Sequence, residues 1–198
     1  MKIRVTLEEG ILGTAPQNKE IYTEFIHSKA PDANTLEDEI ATMGADEVTE
    51  KGTTAFHKED GRAFLYDYAI KGFLKSACQA LRECGDTESK KLTSYKKKID
   101  LLFFVYPRKI FFENFDGIGI CERPLRAQTM QGERVSLARS EEIPAGATLE
   151  FEIRSLRGAA DDKLIREWLD YGKYNGLGQW RNSGKGRFHW EEITDDQS

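Results

Sequence analysis

Between Gly176 and Phe188 the chain places four glycines (Gly176, Gly178, Gly184, Gly186) among three cations (Arg181, Lys185, Arg187) and one indole, Trp180. Glycine lets backbone N–H groups approach something large or anionic. Clustered Arg and Lys supply positive charge, and an indole can stack on a nucleobase. No Gly-Lys-Ser/Thr opens a helix here, and the segment reads as following a helix and feeding a strand. A phosphate-binding P-loop is thereby excluded. The same glycines also suit a long, tight turn packed against its own domain, and both uses stay open at this stage.

A second basic element is Lys71-Gly72-Phe73-Leu74-Lys75, near the start of the clearest helical pattern. Lys71 and Lys75 are four residues apart and share a helix face. Phosphate near a helix start would meet free N–H groups, the dipole and these lysines together; two solvated lysines are the plainer reading.

Acid–base chemistry has few candidates. Of the three histidines, His27 falls in an acidic segment, and His189 alternates with Phe188 and Trp190 as in a strand. His57 lies close to Lys58, Glu59 and Asp60, and a His with a Lys beside it can carry out general acid–base chemistry, so His57 is a catalytic candidate. An ordinary charged turn has the same composition. No His/Asp/Glu spacing suggests a metal site, and no cofactor is expected. Cys78, Cys84 and Cys121 form no Cys-x-x-Cys, which argues against a zinc ribbon or disulfide scaffold and for a reducing, cytoplasmic setting.

These residues sit on a chain of 198 residues, with 39% hydrophobic and 32% charged side chains. That length fits one compact domain, 1–198. No apolar run approaches a membrane span, and no secretory signal is expected at the N-terminus. The net charge of −5 is unevenly spread. Residues 1–60 hold 6 Lys+Arg against 13 Asp+Glu, a net of −7, whereas residues 61–190 hold 23 against 17, a net of +6. A basic body behind an acidic front is compatible with an anionic partner and equally with ordinary charge scatter.

The elements that must position the candidates follow from periodicity. Ile3, Val5 and Leu7 alternate with Lys2, Arg4 and Thr6, the pattern of a half-buried strand. Pro16 after Thr14 predicts a helix start, so an acidic helical insertion is expected over about 16–50. Two extended pieces with a turn at Glu59-Asp60-Gly61 are expected over 54–66. A helix over about 68–84 follows, with Ile70, Phe73, Leu74, Ala77, Cys78 and Leu81 on its apolar face. Strands are expected at 101–106, 110–112, 119–127, 134–143 and 147–154, a helix near 161–171, and a last strand at 187–193. Without the insertion, the order is that of an α+β, ferredoxin-like (split βαβ) antiparallel sheet with helices on one face.

Three segments together carry a resemblance. Arg62 to Lys75 resembles the stretch of RAMP-superfamily proteins in which a short strand leads to Lys-Gly at a helix start. Gly176 to Phe188 resembles their C-terminal glycine-rich loop, and residues 142–153 look like the strand pair these proteins place between. The chain differs at Tyr66-Asp67-Tyr68-Ala69, where members often carry Pro-Gly-Ser-Ser. The resemblance spans about residues 60–193 and implies an RRM-related fold that binds single-stranded RNA.

The resulting expectation is a non-catalytic, CRISPR-associated guide-RNA binder of a backbone type, able to form homo-oligomers along the strand or join other subunits of a ribonucleoprotein. Arg62, Lys71, Lys75, Arg126, Arg181, Lys185 and Arg187 are the expected phosphate contacts, with Tyr66 and Trp180 as stacking residues. Two alternatives stand beside it. One is a protein-interaction or anti-defence protein keeping a RAMP-like fold, and the other is a guide-processing endoribonuclease using His57 or Asp60.

Overall fold

The computed structural model describes residues 1–16, 53–129 and 132–193. The helical insertion expected over about 16–50, with His27, lies outside the described residues except at Pro16. Pro16 is not the first residue of a helix. It ends β3 (Ala15–Pro16), the edge strand of a small sheet, where it pairs with Thr54. An edge strand tolerates proline because one side of its backbone needs no ladder donor.

The architecture is mixed α+β, built on an antiparallel sheet. β1 (Lys2–Leu7) lies centrally, flanked by β11 (Thr148–Ser155) on one side and β12 (Phe188–Glu192) on the other. Beyond β11 come β7 (Phe103–Tyr106) and β8 (Lys109–Glu113), which pair with successive parts of it. β6 (Arg62–Tyr66) and β5 (His57–Glu59) complete the seven strands.

Cross-strand partners share a face of a sheet. The registers Ile3↔Phe151, Val5↔Leu149, Leu7↔Phe188, Ile153↔Val105 and Ser155↔Phe103 therefore put one apolar set on one face. α1 (Asp67–Leu81) buries Ile70, Phe73, Leu74, Ala77 and Cys78, and α3 (Asp162–Asp170) buries Leu164, Ile165, Trp168 and Leu169. Phe73 of α1 meets Phe188 of β12, with ring centroids 5.1 Å apart. Trp168 of α3 meets Phe103 of β7 at 5.0 Å. Both helices thus cover the same sheet face and enclose one core. The opposite face is charged at its centre, where Arg4 bridges Glu150 and Glu191.

Residues 101–106 are only partly the expected strand. α2 (Tyr95–Leu102) buries Ile99 and runs through Leu101 and Leu102 before β7 begins at Phe103. Continuous apolar runs do not reveal where a helix hands over to a strand; alternation in burial starts only at Phe103.

Between β8 and β11 the chain makes a long hairpin, β9 (Gly119–Thr129) and β10 (Gly132–Ile143). The end of β10 nearest the core pairs with β2 (Ile11–Leu12), and beside it runs β4 (Thr53–Ala55), parallel to β10. This second sheet anchors the hairpin base to the β1–β2 turn. Its central ion pair is half hidden: Glu141, 9% exposed, accepts the Phe56 N–H at 2.9 Å and the Lys58 ammonium at 2.5 Å.

Candidate functional site

The glycine-rich segment is a strap leading from α3 to β12. Its glycines serve close packing of the strap on itself. A Cβ on Gly176 would stand 1.7 Å from the Gly186 carbonyl oxygen, and one on Gly186, at φ 72°, 2.0 Å from the Leu177 carbonyl oxygen. The Leu177 N–H donates to that same Gly186 carbonyl at 2.9 Å.

Gln179 pins the middle of the strap to the second sheet. Its Nε2 lies 2.6 Å from Gly13 O, 2.7 Å from Thr54 Oγ1 and 2.9 Å from Ser140 Oγ. The next residue, Trp180, takes a left-handed backbone at φ 57°, a conformation that costs a non-glycine residue free energy unless its surroundings hold it. The residue is 40% exposed. The guanidinium of Arg123, on β9, lies over its ring at 5.0 Å. Arg181 follows and makes no ion pair among the described residues.

The two remaining strap cations are engaged. Lys185 Nζ is 2.6 Å from Glu142 Oε1, and this hydrogen bond holds the ammonium above its ordinary pKa. Arg187 Nη2 is 3.3 Å from Glu9 Oε1. Of the sequence candidates, the strap therefore brings together Trp180, Arg181, Lys185 and Arg187, with the last two tying it to the hairpin base and to the turn after β1.

Lys71 and Lys75 form a separate group. The helix begins at Asp67, so Lys71 stands beyond its first residues. Lys71 donates to the Asp100 carbonyl at 3.2 Å and lies over the Phe104 ring, while Lys75 pairs with the Asp100 carboxylate at 2.6 Å. Asp67 itself occupies the first turn and pairs with Arg108 at 2.6 Å.

Arg62 and Tyr66 belong to a third group, on the sheet face away from the helices. His57, Phe64, Tyr66 and Phe111 are ring neighbours there, with His57 4.9 Å from Tyr66 and Phe64 5.5 Å from Phe111. Arg62 lies over Phe111, Lys109 over Phe64, and Arg108 over Tyr66. Asp60 sits at the β5–β6 turn with φ 50°, a backbone role that Asp tolerates. Arg126 pairs with Val135 in the hairpin ladder; its side chain lies outside the described residues.

Sequence reasoning missed Arg123, Arg108, Lys109 and Phe111. The strand period marks Lys109 and Phe111 as sharing a face opposite Ile110 and Phe112. No local signal marks Arg123, whose neighbours come from residues 140 and 180. Among the described residues no group of three or more His, Cys, Asp or Glu is placed to hold a metal ion, and no helix is long and apolar enough to cross a membrane.

No family model matches the chain, and no curated protein matches it in sequence. The fold is shared with known structures. A chain in the structure of Type III-B Cmr-beta bound to cognate target RNA superposes with a TM-score of 0.56 at 11% identity, covering 98% of this chain and 58% of that one. The protein thus spans less than two thirds of that neighbour's length. A chain of a Type IV-B CRISPR complex aligns with a TM-score of 0.44 at 12% identity, covering 100% of this chain and 91% of that one.

Proposed function

We propose that the protein is a non-catalytic, single-stranded-RNA-binding subunit of a CRISPR-like ribonucleoprotein, a divergent RAMP-type chain of one ferredoxin-like domain with a helical insertion at about 16–50. The strand order β12-β1-β11-β7/β8, with α1 and α3 on one face, supports the split βαβ reading. The fold shared with a chain of an RNA-bound structure supports the ribonucleoprotein. The observation that carries the reading is the strap. It holds an exposed indole and an adjacent cation, Arg181, on a backbone pinned by Gln179. Stacking and charge together are what single-stranded nucleic acid requires. Guide RNA, a cytoplasmic setting and copies arrayed along one strand belong to the same proposal, with Arg62, Lys71, Lys75, Arg126, Lys185 and Arg187 as further phosphate contacts and Tyr66 as a second stacking residue.

The test is anisotropy of a labelled single-stranded RNA with protein freed of nucleic acid. Affinity should fall with salt, since each neutralised phosphate releases counterions. Replacing Lys71 and Lys75 by Ala should weaken all sequences alike, because phosphate contacts carry little sequence information. Absence of binding at low salt would remove this reading.

A second reading, a protein-contact subunit, draws on the far sheet face. Arg62, Lys109 and Arg108 each lie over a ring and each pair with a carboxylate, Glu113, Glu59 and Asp67. A charge-balanced face rich in aromatics and Arg has the composition of a protein interface core.

A further inference from the structure

Arg123 is a buried cation that no carboxylate pairs with among the described residues. The residue is 7% exposed. Its Nη1 donates to Ser140 Oγ at 3.2 Å, and its buried Nε has no hydrogen-bond partner. No carboxylate pairs with it among the described residues, although nearly every neighbouring cation has one: Lys58 has Glu141, Lys185 has Glu142, Arg139 has Glu122. A buried guanidinium in that state is costly unless an anion compensates it.

The surroundings are built rather than accidental. Ser140 Oγ receives Arg123 from one side and meets Gln179 Nε2 on the other, so one hydroxyl links the hairpin cation to the strap. The strap then presents Trp180 in its left-handed backbone, with Arg123 against one face of the ring. Trp180 remains exposed, and Arg181 follows without an ion pair among the described residues. Two cations without an ion pair among the described residues and one open aromatic surface converge from elements almost sixty residues apart in the chain.

We propose that Arg123 and Trp180 form the seat for one nucleotide of a single-stranded RNA. A base stacks on the open surface of Trp180, and the adjoining phosphate, also approached by Arg181, supplies the negative charge that Arg123 lacks. The inference rests on the RNA-binding reading above and assigns it a contact residue, Arg123, that the strap alone does not contain. The site accepts any base, because its contacts are a ring face and a phosphate.

The test uses the full chain, freed of nucleic acid, with single-stranded RNAs carrying one 2-aminopurine at successive positions. Stacking on Trp180 should quench that fluorophore. Trp180→Ala should abolish the quench and weaken binding about tenfold, the scale of one lost base stack, and Trp180→Phe should restore most of the affinity. Arg123→Met, which keeps the length but removes the charge, should lower the slope of log affinity against log salt by about 0.7, the value for one phosphate of a single strand. If the wild type binds RNA while Trp180→Ala and Arg123→Met leave affinity, quench and slope unchanged, the seat is wrong and the wider reading survives. If the wild type does not bind RNA at all, both fall. Should Arg123→Met lower the melting temperature enough to obscure its result, the surface variants Trp180→Ala and Trp180→Phe still decide by the quench.

Discussion

Lys75 Nζ lies 2.6 Å from Asp100 Oδ1, so the cation expected to meet phosphate already meets a carboxylate across the α1–α2 contact. Lys71 is held by the backbone carbonyl of the same residue. RNA that uses these lysines must compete with Asp100. Asp100→Asn should therefore tighten RNA binding by about two- to fivefold, the scale of an exposed ion pair, in the same anisotropy titration. Weaker binding by this variant would show that Asp100 orients the lysines rather than competing for them.

Replacing Gly176 by Ala drives a methyl group into the Gly186 carbonyl. The backbone of Gly186 and Arg187 occupies that space, so relief requires the strap to open. The expected loss is about 3 kcal/mol of stability, at the upper end of ordinary overpacking, read from denaturant unfolding. Gly72→Ala makes a good control, since nothing stands within 4 Å of a Cβ there. Alanine in a helix interior should leave stability equal or slightly raised.

Burial raises the pKa of the Cys78 thiol, and its hydrogen-bonding neighbours Ser89 and Trp168 only partly offset this. Cys84 is exposed. A maleimide at neutral pH should label Cys84 quickly and Cys78 only after unfolding, as peptide mapping would reveal. Because the folded pKa is raised, the stabilising contribution is complete below the unfolded thiol's pKa. It falls as pH rises above that value, where the unfolded chain ionises and the folded one does not, and is lost once pH passes the folded thiol's pKa. Cys78→Ala should flatten this alkaline decline in melting temperature, relative to the wild type.

Labelled single-stranded RNA should stay intact with the protein, with or without magnesium. His57 packs its ring against Phe64 and Tyr66, and Asp60 serves the β5–β6 turn. His57 meets the phenol Tyr66 only as a ring neighbour, with centroids 4.9 Å apart and no hydrogen bond between them, and Asp60 makes no side-chain hydrogen bond among the described residues, whereas concerted proton transfer needs hydrogen-bond reach. Cleavage that His57→Ala or Asp60→Ala abolishes would establish the endoribonuclease reading.

Period-two and period-3.6 patterns made much of the architecture legible. Ile3, Val5 and Leu7 declared β1, and the spacing from Ile70 to Cys78 declared α1, because each buries one face only. Pro16 misled because proline suits both a first helical turn and a sheet edge, and the choice belongs to Thr54, its partner nearly forty residues away. Leu101 misled because an apolar residue in a helix near its end can stay 57% exposed. At the candidate site, the strap announced itself by its glycines, yet their main work is self-packing. Arg123 was silent for a different reason: its burial and its place over Trp180 arise only when the hairpin and the strap meet.

The central position of β1 has a consequence for how the chain assembles during synthesis. Residues 2–7 leave the ribosome well before their ladder partners, residues 148–152 and 188–192. Until those emerge, β1 has both hydrogen-bonding edges open, and the chain between must wait as locally folded pieces. Such distant closures are slow because loop entropy is lost before contacts compensate for it. The β5–β6 and β9–β10 hairpins can form early. The main sheet closes last, when β12 zips onto a strand made almost two hundred residues before. A nascent chain halted in that interval presents an unpaired apolar strand, a template for pairing with its neighbours on the same message.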